Sequence, residues 1–284
     1  MDTIPQIKKD IEFNKGLFSL IEVLKMIAVS QFRALEQSLR TFEKLVDTLE
    51  SFFELMDVKS VQHAFLNPKG NSRLVIAVTS DVGLLGGLNI KVLNAALNEL
   101  QKAERSELAV VGERGQVYTR ERGIKFTGFH GIIEADRFTQ AIEIRDWAID
   151  KILKEGFDSL IISYPRAMSI TVQRIETVTL LPYAVPEKYS LHTDVLAHSG
   201  LIEESSLEDV VQYLIKLWIA QRLYEIFGLS HLAEFAARFI HLEESAQKLK
   251  DKEVVLKRRY FRVRHEIIDR SMRELFAARS LYAR

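Results

Sequence analysis

The sequence predicts an α/β protein: an antiparallel coiled coil of long N- and C-terminal helices, with an α/β domain between them in the chain. Apolar residues recur every three or four positions near both ends, the period of a helix that keeps one stripe against a partner. In the middle, short β-branched runs alternate with helical stretches, which is typical of a sheet covered on both faces. Only 5 Pro and 13 Gly occur in 284 residues, where average usage gives roughly 14 and 20, so long helices are favoured.

The first helix is predicted from about Pro5 to Val61, and we assign residues 1–66 to an N-terminal coiled-coil helix. Pro5 stands in the first turn, where proline is tolerated, and Gly16 is the one weak point before residue 70. At 1.5 Å per residue this helix would be roughly 80 Å long, more than the diameter of a small domain. Part of it is therefore expected to project.

The middle segment, residues 67–206, is predicted to form the α/β domain and to end in an acidic connection after Pro182 and Pro186. Its strands are short apolar or alternating runs, and its helices carry an apolar stripe. The predicted strands are Arg73–Thr79, Leu108–Val111, Ile124–Phe126, Ser159–Ser163 and Ile170–Leu180, and the predicted helices are Leu88–Ala103, Glu113–Arg122 and Asp136–Lys154.

The last segment is predicted to be helical from Leu207 to Tyr282, and we assign residues 207–284 to a C-terminal coiled-coil helix. It contains no Pro and one Gly, Gly228, which is the candidate interruption. Two stripes left exposed would be unusual in a soluble chain, so the terminal helices are expected to pair. We expect residues near Lys25 to lie beside residues near Arg264.

Charge is unevenly distributed although the whole chain has a formal net charge of zero. The segment Lys248–Arg284 has 12 basic and 5 acidic residues, a local net charge of +7. It is either a solvated helix face or a surface that docks on an acidic partner. A zero overall charge argues against a general nucleic-acid binder. The absence of Cys excludes disulfides, thiolate metal sites and cysteine nucleophiles.

A glycine cluster, Asp81–Gly87, lies between a predicted strand and a predicted helix, where a phosphate would meet backbone N–H groups. Its spacing is neither GxGxxG nor GxxxxGKS, so a tight turn is the favoured interpretation and a nucleotide site is the alternative. The seven histidines form no HxxxH or HExxH set, so no zinc motif is predicted. Nothing in the sequence assembles an active site.

Several segments together resemble the gamma subunit of F-type ATP synthase. Thr79–Asn89 resembles the signature TSD-R-GLCGG-x-N, and Lys25–Ser30 resembles KMVAAS. Val111–Gly115 is similar to the vGxKG turn, Glu234–Arg238 to the SEHAARM segment, and Tyr260–Leu275 to the pattern YNxARQxxITxELxEI. These matches occur in the family's order along the whole chain.

The chain also departs from that pattern. Val82 stands where the family usually has Arg, and Leu85 where it often has Cys. His265 replaces the Gln of the ARQ motif, Asp269 replaces the Thr, and Arg279 interrupts the small-residue end. The ARQ–IT region is where the shaft meets the beta subunits in that family, so these changes bear on coupling.

The resemblance implies a Rossmann-like middle domain and a role as the central-stalk rotor shaft of a rotary ATP synthase or ATPase. Its implied partners are alpha- and beta-like ATPase subunits, an epsilon-like subunit and the membrane ion ring, with no nucleic acid. Mg-ATP would bind the partner subunits, and this non-catalytic chain would carry no cofactor or metal. The resemblance also implies a peripheral protein on the cytoplasmic side of the membrane. Direct insertion is not expected, because no apolar run approaches the roughly 20 residues of a spanning helix.

The resemblance also suggests two sets of functional residues. The predicted contacts between the shaft and the beta subunits are Lys25, Met26, Arg264, His265, Asp269, Met272 and Glu274. The predicted structural turn uses Asp81, Gly83, Gly86, Gly87 and Asn89.

Two other interpretations remain at the level of sequence. In the first, the chain is a Rossmann-like module that binds a small ligand or acts as an enzyme. Its coiled coil would dimerise it, and the turn from Gly83 to Gly87 would bind a phosphorylated ligand. In the second, the chain is a coiled-coil scaffold.

Overall fold

The computed structural model describes residues 3–39, 61–184 and 206–282. The predicted continuation of the first helix through residues 40–60, and the acidic connection over residues 185–205, lie outside the described residues. The chain divides into two compact units. The helix-pair unit comprises Met1–Ala28 and Phe239–Arg284, and the α/β unit comprises Val29–Arg238. The domain boundaries at residues 66 and 206 stay a prediction.

Both terminal segments are long helices, as predicted. Helix α1 spans Ile4–Leu39, and helix α5 spans Leu207–Tyr282 over 76 residues. The interruption considered at Gly228 does not occur. A Cβ atom at Gly228 would lie 2.5 Å from Leu39 Cδ2 and 2.8 Å from Arg137 Nη1, so this glycine is explained by close packing inside the α/β unit rather than by a break.

Within the described residues between the long helices, five strands alternate with three helices and a short 3₁₀ turn. The elements are β1 (Ser72–Val78), α2 (Leu88–Leu100), β2 (Arg105–Val111), α3 (Glu113–Glu121), β3 (Thr127–Phe129), the 3₁₀ turn Glu134–Asp136, α4 (Arg137–Glu155), β4 (Ser159–Ser169) and β5 (Val172–Leu181).

The strands form one mixed sheet in the order β3-β2-β1-β4-β5, with β5 antiparallel to β4 and the other pairs parallel. The third strand lies three residues later than predicted, because the residues paired with Ala109–Val111 are Thr127–Phe129. The apolar residues Ile124 and Phe126 pack, partly buried, against the core beneath the sheet. Their hydrophobicity therefore reflects burial and not strand pairing.

The sheet is buried on both faces, which explains the continuous apolar strands. On one face, Leu74, Ile76 and Val78 pack with α4 and with the part of α5 between residues 211 and 227. On the other face, Val75 and Ala77 pack against α2. The C-terminal helix thus contributes directly to the core of the α/β unit.

In the helix-pair unit, α1 and α5 run antiparallel, as predicted, but in a different register. Lys25 Nζ lies 2.6 Å from Glu243 Oε2, and Asn14 Nδ2 donates to the Leu249 carbonyl at 2.9 Å. The expected proximity of Lys25 to Arg264 is wrong, because Arg264 stands 21 residues beyond Glu243. At 1.5 Å per residue this is roughly 32 Å along the helix.

Candidate functional site

The last part of α5 extends past the start of α1 within the helix-pair unit. Lys8 Nζ lies 5.9 Å from the centre of the Tyr260 ring, so the beginning of α1 at Ile4 falls beside the residues just after Tyr260. Every residue from 264 to 279 is exposed. We call residues 264–279 the distal segment.

The distal segment carries an apolar stripe on one side of the helix. Its large apolar side chains are about half exposed or more: Ile267, Ile268, Met272, Leu275 and Phe276. At 3.6 residues per turn these positions cluster on one face. Exposed apolar stripes of this kind are characteristic of surfaces that bind another protein.

The predicted contact residues of the distal segment are arranged around this stripe. By helical periodicity Arg264 and His265 lie within the stripe. Asp269 borders one edge of it, and Glu274 borders the other. Arg270 lies on the opposite side of the helix. The segment therefore presents an apolar strip with charged residues at its centre and edges.

Lys25 and Met26 lie elsewhere on the helix-pair unit. Lys25 Nζ bridges Glu22 Oε1 at 2.8 Å and Glu243 Oε2 at 2.6 Å, and its hydrogen bonds to Glu22 and Glu243 raise its pKa. Met26 is 68% exposed. Lys25 thus has partners inside the chain, and the seven predicted contacts form two separate surfaces instead of one.

In the α/β unit, the predicted structural turn connects β1 to α2. We call residues 79–89 the signature turn. Asn89 closes it, since its Nδ2 donates to Ser80 Oγ at 2.9 Å and its Oδ1 accepts from Ser80 N at 3.2 Å. Gly86 has φ +59° and Gly87 precedes the first residue of α2. The turn residues lie together in the structure.

Asp81 links the signature turn to the next βα connection. Its Oδ1 accepts a hydrogen bond from the backbone N of Glu113 at 2.7 Å, at the start of α3. Gly83 lies nearby, where an added Cβ atom would be 3.5 Å from Arg114 Nη2. Asp81 therefore holds a helix N-terminus of its own chain, which is consistent with a structural function for the turn.

Helix α5 packs against the signature turn. Leu85 and Leu88 are buried in a small apolar cluster with Ala237. The tight-turn interpretation of the segment from Gly83 to Gly87 stays a prediction.

One buried acidic residue has no role predicted from the sequence. Glu234, in the segment that resembles SEHAARM, is only 7% exposed. Burial raises its pKa to about 7, because the charged carboxylate is poorly solvated there. The sequence offers one sign of this burial, an acidic residue between the apolar Ala233 and Phe235. Whether Glu234 is buried, however, depends on residues that are distant in the chain.

Two negative findings concern only the described parts of the chain. Over residues 3–39, 61–184 and 206–282, no three His, Asp or Glu side chains come together in a way that would hold a metal ion. Across these same ranges, no helix combines the length and apolar character needed to cross a membrane.

Comparison with known proteins places these features in a family. The family model described as ATP synthase matches residues 3–280. The ATP synthase gamma chain of Chlorobaculum parvum is 27% identical, with 98% of each chain covered. That of Alkaliphilus metalliredigens is 25% identical over 97% of this chain and 96% of its own length.

Solved structures of ATP synthases contain chains with the same fold as this one. The rotor of the Euglena gracilis mitochondrial ATP synthase contains a chain with a TM-score of 0.64 and 17% identity. The alignment covers 93% of this chain and 98% of that one. The interpretation as a small-ligand enzyme module finds no support in these comparisons. The chain belongs to the ATP synthase family, as a gamma-type, non-catalytic subunit.

Proposed function

We propose that this chain turns inside a ring of alternating alpha- and beta-like subunits, and that the distal segment is the surface on which the ring acts. ATP would be made or hydrolysed with Mg²⁺ on the beta-like subunits. An epsilon-like subunit and a membrane ion ring would complete the rotor. The chain would be a peripheral protein on the cytoplasmic side of the membrane, without insertion into the bilayer and without a nucleic-acid partner.

The observation that carries this proposal is the apolar stripe of the distal segment. Five large apolar side chains stand about half exposed or more on a single helix, which is unfavourable unless another surface covers them. Covering them would give tight association without fixing one rotational position, because apolar contacts are not directional. Such contacts suit a shaft that must stay seated while it turns.

Assembly tests this function directly. Replacing Ile268 and Met272 together by Ser should weaken association with the alpha- and beta-like subunits by at least about 2 kcal/mol, roughly thirtyfold in Kd. The measurement is a titration of the purified chain into the alpha–beta assembly. As a matched control, Arg270→Ser with Arg273→Ser places the same two serines on the opposite side. Equal losses in both double variants, or no loss in the first, would contradict the proposal.

Arg264 is proposed to transmit torque through polar contacts, with His265, Asp269, Met272 and Glu274 around it. A guanidinium forms bidentate, charge-assisted hydrogen bonds with carboxylates, which suits an acidic partner loop. Lys25 and Met26 would form a second contact surface. Because Lys25 is already paired with Glu22 and Glu243, Met26 is the more accessible of the two.

Arg264→Ala should leave the complex assembled but lower its ATP turnover. An exposed ion pair contributes about 0–1 kcal/mol, which corresponds to at most about a fivefold change in rate. The measurement is the ATPase rate of the reconstituted complex, with Arg270→Ala as the control for losing one positive charge. If both variants turn over ATP like the wild type, Arg264 is ordinary helix surface and torque passes through the apolar stripe.

A further inference from the structure

The α/β unit contains a cavity of about 620 Å³, and none of the proposed ring-contact residues lines it. It lies beside the signature turn and is bounded by α1, the 3₁₀ turn and α5. Leu35 and Phe235 supply apolar wall, and Glu234 lines the same space. Val82, which is 53% exposed, stands at its rim, so the cavity is reached from solvent.

The cavity contains one carboxylate without a partner among the residues that the structure describes. Asp81 accepts the hydrogen bond from Glu113 N, and Glu134 lies 2.9 Å from Arg137 Nη1 and 3.3 Å from His231 Nδ1. Glu234 is 7% exposed and has no hydrogen bond or ion pair with another described residue. Burial has the largest effect on its pKa and raises it. The charges of His231 and Arg238 lower that pKa, and the charge of Asp81 raises it.

Arg238 does not neutralise Glu234 by direct contact. It stands one helical turn later in α5, and its guanidinium carbon lies 5.6 Å from the centre of the Phe235 ring. Burying a carboxylate without a partner is unfavourable. A cation that entered the cavity and bound Glu234 would offset that cost.

We propose that this cavity binds a small organic monocation, an alkyl or aryl primary ammonium, whose charged group pairs with Glu234 and whose apolar part lies against Leu35 and Phe235. The volume is within the range of small-molecule sites. Three carboxylates and a single guanidinium line it, which favours a cation over an anion. The described residues offer no metal-binding group of three side chains, which favours an organic cation over a metal ion.

Benzylamine is a suitable probe, because it joins an ammonium to an apolar ring, and benzyl alcohol is its neutral analogue. Calorimetric titration of the full chain should detect benzylamine with a Kd of about 10 mM or tighter. Glu234→Gln should weaken binding about tenfold or more, since a charge-assisted hydrogen bond is lost. Glu143→Gln, an exposed change on α4, should have no effect, and benzyl alcohol should bind weakly to all three proteins.

The pH dependence of binding gives a second, independent readout. Because burial raises the pKa of Glu234 to about 7, benzylamine affinity should rise roughly tenfold from about pH 6 to pH 8. The other charged or titratable groups facing the cavity are Asp81, Glu134, His231 and Arg238. The rise should persist in His231→Gln and disappear in Glu234→Gln.

Two results would overturn the proposal. One is no detectable benzylamine binding to the wild-type chain. The other is equal binding to the wild type and to Glu234→Gln. The rotor function would be unaffected by either result, because assembly of the distal segment is measured separately.

Discussion

Replacing Gly112 by Ala is expected to be among the most destabilising single changes in the α/β unit. Gly112 has φ +95° and ψ 135°, a combination that residues with a Cβ atom rarely adopt. An added Cβ would also overlap the Thr79 carbonyl, with the Thr79 C atom only 2.6 Å away. These are backbone atoms, so they cannot move aside as a flexible side chain would.

Strain and overlap together should cost about 2–5 kcal/mol of unfolding free energy. For a chain of this size that corresponds to a fall in Tm of about 5–15 °C, measured by circular dichroism. Gly123→Ala is the matched control, because Gly123 has φ +68° but no atom within 4 Å of an added Cβ. It should lose only the strain contribution, about 1 kcal/mol. Equal losses in the two variants would show that the contact with Thr79 is unimportant.

The close approach of Gly112 to Thr79 also links two of the family-like segments, Thr79–Asn89 and Val111–Gly115. Gly112 connects β2 to α3, Gly115 lies in the first turn of α3, and Thr79 opens the signature turn after β1. A Cβ at Gly115 would overlap Thr79 Oγ1 and lie 2.8 Å from Thr79 Cγ2. Both glycines are therefore required by one threonine, which directly follows the neighbouring strand β1. Two segments that are separate in the sequence form a single packed junction.

Much of the fold could be predicted because its local signals agree with its tertiary packing. The apolar run around Leu74–Val78 is a strand buried on both faces, and the long period-3.5 stripe after Leu207 is one continuous helix. The prediction misplaces the third strand because apolar content does not by itself indicate strand pairing. In the structure Ile124 and Phe126 supply core contacts, whereas Thr127–Phe129 pair with β2.

The candidate site was predicted less completely, for a different reason. The assignment of Arg264 and Met272 as contact residues follows from the sequence resemblance, but the partner of Lys25 depends on the register between two helices. The burial of Glu234 depends on which helices and turns surround it. Neither property is encoded in a local window of sequence.

Register is poorly defined by an apolar stripe, because sliding one helix by seven residues superimposes the stripe on itself. Polar contacts between the two helices distinguish one register from another. Asn14 is 2% exposed and donates to the Leu249 carbonyl, and a buried Asn at a helix seam favours one register at a cost in stability. The Lys25–Glu243 ion pair selects the same alignment.

Thiol crosslinking should therefore distinguish the two registers almost completely. The double variant Lys25→Cys with Glu243→Cys should crosslink within one chain in high yield with a short bifunctional thiol reagent, because the native side chains are in contact. Lys25→Cys with Arg264→Cys should give essentially no intramolecular crosslink, since roughly 32 Å of helix separates the two positions on α5. The chain has no native Cys, so no background reaction competes.

The negative result needs evidence that the second thiol is reactive. Arg264 is exposed, so Arg264→Cys alone should be labelled rapidly by a monofunctional maleimide. Mass spectrometry at low protein concentration separates crosslinks within a chain from those between chains. Efficient crosslinking of the Lys25 and Arg264 positions within one chain would mean that the helices pair 21 residues away from the Lys25–Glu243 alignment. Arg264 would then be covered by α1, and the distal segment would lose the exposed stripe on which its proposed contact with the ring depends.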